Sequence, residues 1–296
     1  MSSCWSHVLW QTRITTTAAV TNATLPEIEV SENLVRAYQV AAEVAEKLDY
    51  KFINRQELEK RIVALGFPAG KLKKYDEKKP GFFASLVKDR DEYLHYLQTA
   101  VLESAEEGNC ILIGRGAFVI LESLPNLVSL RFVAKDEIRM QRLQKEFDWN
   151  EKQALQRINE SDTNRKGFHK SFFNVEIDDA SHFLMVLNTG IFDEKSSADA
   201  IATLVKHYIT PEKEAAGKEK LAELIKCQHL VNKLIFEYKL NIEFLRAVID
   251  GKNLTLQGVA DSTVLVERAI KIAAVELPEY TISSAISVVQ DFKGHL

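Results

Sequence analysis

Along the first two thirds of the chain, short apolar runs alternate with stretches whose apolar residues recur at helical spacing. Residues 13–20 (RITTTAAV) are β-branched and bounded by the polar TNAT, which predicts a strand. A loop follows, and Ser31 is placed to cap a helix in which Leu34, Val35, Ala41, Val44, Ala45 and Leu48 share one face. YKFIN then reads as a short strand and RQELEKRIVAL as a helix. The charged excursion at 71–80 (KLKKYDEKKP) predicts a solvated surface loop. A long helix at about 89–107 carries Leu94, Leu97, Ala100, Val101 and Ala105 on one side and stops at Gly108, which suits a left-handed cap.

Three further runs, CILIG, SLRFVA and FLMVLNT, are nearly continuous in apolar residues and predict buried strands, covered on both faces as in parallel sheets. Between and after them lie helices at 136–147 and 149–173, the second with a basic continuation, and at 196–209. Alternating strand and helix predicts a parallel α/β sheet.

The pattern breaks at 211–220 (PEKEAAGKEK), which is polar, holds Pro and Gly, and reads as an interdomain linker. Beyond it the chain predicts a helix at 221–234, a strand at 237–249, a tight turn at Gly251, a second strand (LTLQG) forming a hairpin with the first, a helix at 262–275 and a strand at 280–291. The expected organisation is therefore an α/β domain over 1–210, a linker over 211–220, and a small α+β domain over 221–296.

Composition narrows the function class. Apolar residues make up 46% of the 296, enough for a packed core, and the formal charge is −4 with no basic block. That balance predicts no nucleic-acid partner, while a local basic cleft still suits phosphate. Cys4, Cys110 and Cys227 are scattered and form no metal-binding spacing, so a reducing, cytoplasmic setting is expected. The N-terminus lacks the charged and apolar blocks of a signal peptide, and no run approaches the length of a transmembrane segment.

The candidate chemistry begins at ILIGRGA. A buried strand ends at Gly114, and Arg115 emerges at its carboxyl end beside Gly116, where open α/β sheets bind ligands. A guanidinium between glycines suits bidentate capture of a phosphate, although an ion pair beside a tight turn accounts equally for the residue types. The second constellation is Arg139, Arg142, Arg157 and Arg165. Arg139 and Arg142 are three residues apart on one helix, and Arg157 and Arg165 flank Asp162. Arginines on a lid neutralise charge in phosphoryl transfer; the alternative is an exposed helix with acidic partners. His169 and His182 read as structural or exposed.

These pieces resemble the cytidylate-kinase-like family. NCILIGRGAFVILESLPNLVSLRFVAKDEIRMQRL, then RINESDTNRKGFHKSFFN and FLMVLNT, follow that family's GRGA, arginine helix, D-x-x-R lid and Y-D-L-V-L-N-T strand in order. AEKLDYKFINRQEL is similar to its A-E-K-L-G-Y-x-F-Y-D-R-E-L, and the likeness covers about residues 13–209. It implies a P-loop kinase-like parallel sheet with helices on both faces and a nucleoside monophosphate site. It further implies Arg115 facing the acceptor phosphate, Arg157 and Arg165 in a catalytic lid with Asp162 orienting one of them, and ATP with Mg2+ as cofactors.

The chain departs from the family at the phosphate loop. Residues 18–35 contain neither glycine nor lysine, and Arg36 is the sole cation near the loop positions 33–38. Backbone N–H groups converge on phosphate only where glycine permits the turn. Asn54 and Leu184 also replace aspartates of the family pattern. The expected function is accordingly a nucleotide-binding protein degenerate in its phosphate loop, regulatory or weakly active; the alternatives are an active CMP-type kinase and a protein that binds a partner and no nucleotide. The C-terminal VIDGKNLTLQGVADS, VERAIKIAAVELPEY and TISSAISVVQ resemble a BON domain. That likeness implies a further ligand or protein partner, with Gly251 and Gly258 as turn glycines.

Overall fold

The computed structural model describes residues 14–19, 35–72 and 85–289. Their elements are β1 (Ile14–Ala19), α1 (Val35–Leu48), β2 (Lys51–Ile53), α2 (Arg55–Ala64), α3 (Ala69–Leu72), α4 (Ser85–Glu106), β3 (Cys110–Ile113), α5 (Ala117–Ile120), β4 (Leu130–Val133), α6 (Asp136–Phe147), α7 (Glu151–Phe173), β5 (Met185–Asn188) and α8 (Glu194–Tyr208). They continue with α9 (Pro211–Asn232), β6 (Glu243–Asp250), β7 (Asn253–Ala260), α10 (Thr263–Glu276) and β8 (Thr281–Val288). The expected cap at Ser31 and most of the phosphate-loop interval lie outside the described residues, as does most of the charged excursion at 71–80.

The first sheet has the order β2-β3-β1-β4-β5. β2 runs parallel to β3 and β4 parallel to β5, but β1 is antiparallel to both of its neighbours. The expected all-parallel sheet is thus corrected to a mixed one. Because Ile14 pairs with Val133 and Ala18 with Leu130, β1 leads the chain away from the edge where β4 ends. β5 also departs from expectation: it is an edge strand with Val186 and the preceding Leu184 about 40% exposed, not a buried one.

Helices cover both faces. Strand pleating sends alternate side chains to opposite sides. Ile111 and Ile113 therefore pack with Ala41, Val44 and Ala45 of α1 and Ile201 and Val205 of α8. Cys110 and Leu112 face the other way, onto Leu58, Tyr93, Leu97, Phe168 and Phe172 of α2, α4 and α7. Cys110 is fully buried, and burial pushes its thiol well above the ordinary range, so it serves as a small apolar group.

The segment 211–220 is not a linker of irregular chain. It forms the first turns of α9, with Pro211 at the start, Thr210 accepting from the Lys213 N–H at 3.3 Å, and Glu212 and Glu214 in the first turn. Gly217 lets α9 approach Asn126 closely, since a Cβ there would lie 2.1 Å from Asn126 Oδ1. Ile225 then packs in the core beneath α4, and Cys227, Leu230 and Val231 in a separate core with Leu245, Ile249, Leu254, Leu256, Ala269 and Ala273. The second sheet has the order β6-β7-β8, with β6 antiparallel and β8 parallel to β7. The expected sequence of helix, two strands, helix and strand is present. A π-helical turn at Lys233–Glu237 occupies the place where the end of the helix and the start of a strand were expected.

Candidate functional site

The arginines of α6 and α7 are organised by one carboxylate. Asp162, 4% exposed on α7, accepts from both arms of Arg139 on α6, NH1 to Oδ2 and NH2 to Oδ1, each at 2.8 Å. Arg165, one turn along α7, donates to the same Oδ1 at 2.8 Å, and Arg139 also reaches Asp136 at 3.0 Å. A fork-to-fork pair fixes orientation as well as distance. Asn150 makes this arrangement possible by starting α7 with a reciprocal capping box to Gln153. Leu143, Ala154 and Ile158 seal the two helices together beside Trp149. Arg157, unlike these buried side chains, is 46% exposed and lies 3.8 Å from Glu160.

Arg142 turns from the same helix into a different place. It donates to the Thr189 carbonyl at 2.5 Å and approaches its hydroxyl at 3.3 Å. With Arg36, Lys145, Gly190, Ile191 and Asp193 it lines an open cavity of about 330 Å³ beyond the carboxyl end of β5. Arg36 stands in the first turn of α1 and pairs with Glu194 at 2.6 Å. Burial, then the nearby charge of Arg36, pushes the Arg142 guanidinium down to about 10. Cations held this close favour an anion between them. Three cations, Arg36, Arg142 and Lys145, share this lining with the Asp193 carboxylate. Among the described residues there is no group of three or more His, Cys, Asp or Glu side chains able to hold a metal ion.

Arg115 forms a third centre. Gly114, Arg115 and Gly116 all have positive φ, at 76°, 54° and 71°, so the chain after β3 turns through a left-handed segment rare for a side-chain-bearing residue. The Arg115 side chain is 2% exposed and donates to Glu59 on α2. The same Glu59 oxygen accepts from Arg55 Nε at 2.9 Å. Neither Arg55 nor Glu59 stood out in the sequence, yet their spacing of four residues places them on one face of a helix. Asn54 caps α2 by accepting from the Glu57 N–H at 3.0 Å.

His169 is 4% exposed, touches the Arg165 carbonyl through Nδ1 at 2.9 Å and packs among Phe118, Phe168 and Phe173. No described helix is long and apolar enough to cross a membrane.

Residues 35–191 match the family model described as the cytidylate kinase-like family. A cytidylate kinase of Methanocaldococcus jannaschii is 30% identical over 125 residues, covering 39% of this chain and 68% of that protein. An uncharacterised protein from Eubacterium ventriosum has a solved structure that is 18% identical, with a TM-score of 0.46, covering 57% of this chain and 90% of that one.

Proposed function

The chain belongs to the cytidylate kinase-like family, and from that membership we propose that it binds a nucleoside monophosphate while transferring phosphoryl groups weakly or not at all. Arg55 and Arg115 are the seat for the phosphate, and the cavity of Arg36, Arg142 and Lys145 receives a second anionic group. The observation that carries this reading is a contrast. The buried Arg139–Asp162–Arg165 group is intact, while residues 18–35 contain no glycine and no lysine. Phosphoryl transfer depends on positioning and on neutralising charge that spreads over the phosphoryl oxygens. Without oriented backbone donors from a glycine-rich loop, the transition state loses about 3 kcal/mol for each missing donor, while binding through arginines persists.

The competing reading, an ATP- and Mg2+-dependent CMP-type kinase, draws on Arg36. It lines the cationic cavity from the start of α1, where a side chain substitutes for backbone donors. Calorimetric titration with CMP and AMP, and with ATP plus Mg2+, alongside an assay for nucleoside diphosphate, separates the two. Saturable monophosphate binding with product at background supports the proposal. Clean conversion of CMP to its diphosphate overturns it. The absence of any nucleotide binding leaves a protein that recognises a different partner.

The C-terminal unit, with its helix, hairpin, helix and parallel edge strand, is proposed as a BON-like docking or sensing piece; its hairpin turns at Gly251 with φ 58°.

A further inference from the structure

We infer that Glu59 is a built-in competitor for the phosphate seat, an inference that rests on the nucleotide-binding reading above. One oxygen of Glu59 receives two guanidiniums, Arg55 Nε at 2.9 Å and a terminal nitrogen of Arg115. A carboxylate oxygen shared by two arginines does what an oxygen of a phosphate monoester does in such a seat: it accepts charge-assisted hydrogen bonds from converging forks. The same donors therefore serve either Glu59 or a ligand.

Three features favour displacement over a fixed structural pair. Arg115 is held in a left-handed conformation between two glycines, and such strain persists where the surroundings enforce it, commonly at ligand sites. The partners differ in access: Arg115 is 2% exposed, but Glu59 is 25% exposed and Arg55 31%, so solvent reaches the pair from the Glu59 and Arg55 side. Glu59 also sits on the same face of α2 as Arg55, one turn apart, so rotation of this single side chain breaks its bonds to both cations without moving the helix.

A phosphate monoester carries close to two negative charges near neutral pH and presents three oxygens, against one charge from Glu59. The internal carboxylate thus sets a threshold that dianionic phosphates cross and singly charged anions, such as carboxylates and phosphodiesters, do not. Glu59 selects for terminal phosphate and keeps Arg115 paired when no ligand is present.

The test compares wild type, Glu59→Gln and Glu59→Asp in calorimetric titrations with CMP, inorganic phosphate and acetate. Glu59→Gln removes the competing charge and is expected to bind CMP and phosphate about tenfold more tightly, a change of about 1.4 kcal/mol. Acetate binding should become measurable only in this variant. Glu59→Asp, which shortens the reach, should tighten binding by a smaller factor and decides the matter if the glutamine variant fails to fold. If wild type binds CMP and both variants bind it equally or more weakly, Glu59 orients the arginines, and the competitor is overturned while the nucleotide reading stands. If only the variants bind, the competitor is supported at its strongest. If no form binds CMP or phosphate, both readings fall.

Discussion

Asp162 receives both arms of Arg139 at 2.8 Å from a helix 23 residues further along the chain, and both side chains are 4% exposed. The pair joins α6 to α7 through charge in a place where water is excluded. Removing Asp162 takes the bidentate partner from Arg139, leaving it Asp136 alone, and takes a carboxylate from Arg165 in that interior. Asp162→Ala is therefore expected to destabilise the protein by about 3–5 kcal/mol. Adding Arg139→Met to it should recover a large part of the loss. Urea denaturation of the single and double variants measures both, and additive losses would contradict the pairing.

Arg142 and Arg157 make opposite predictions for ligand binding. Arg142 lines the cationic cavity with Arg36 and Lys145, whereas Arg157 is 46% exposed beside Glu160. Arg142→Ala should weaken nucleotide binding about tenfold, the worth of one charged hydrogen bond. Arg157→Ala should leave it within about twofold, as exposed ion pairs contribute little. Equal losses in both would mean that the outer face of α7, as well as the cavity, meets the ligand.

His95 gives stability a pH dependence. It is buried on α4, with Gln228 Nε2 3.5 Å from Nδ1 and the Phe236 ring 6.3 Å from its own. Burial, then the charge of Arg246, lowers it to about 4. The unfolded chain takes up this proton near pH 6.5 and the folded chain only near 4, so stability falls as pH drops through that window and levels off below it. The contribution is at most about 3 kcal/mol. Urea midpoints at pH 7, 5.5 and 4 should converge between wild type and His95→Gln at the acid end relative to the neutral end. Parallel curves would contradict this.

Gly116 is expected to tolerate no side chain. Its φ is +71°, and an added Cβ would stand 2.2 Å from the Phe173 ring at the end of α7. Gly116→Ala should cost about 1–3 kcal/mol in strain alone. Combining it with Phe173→Leu should relieve the contact and leave the backbone component. A thermal melt unchanged by the single substitution would show that the turn adapts.

The sequence was most legible where periodicity is unambiguous. CILI is a strand because four consecutive apolar residues suit burial on both sides, and LRFV is one although Arg131 interrupts it, buried and donating to Asp178 at 3.0 Å; all residues of both strands are buried. The direction of β1 was not legible, since ITTTAA carries the same β-branched signal in either orientation. PEKEAAGKEK reads as a linker because its few apolar residues mask a helix start; Pro, the acidic first turn and the Thr210 cap are the signals that mark the helix. Arg115, Arg139 and Asp162 were visible as chemistry, but the partner of Arg115 was not. Glu59 looks like half of a surface ion pair with Arg55 until the fold brings a third residue to it from 56 positions away.

The path of α9 has a practical consequence for dividing this protein. Ile225 is buried in the first core, while Cys227, two residues on, belongs to the second. A fragment ending at residue 210 would leave the underside of α4 wet and oily, and one beginning at 221 would carry an orphaned greasy stripe. Anyone wishing to express either half in isolation must graft a substitute for the shared rod.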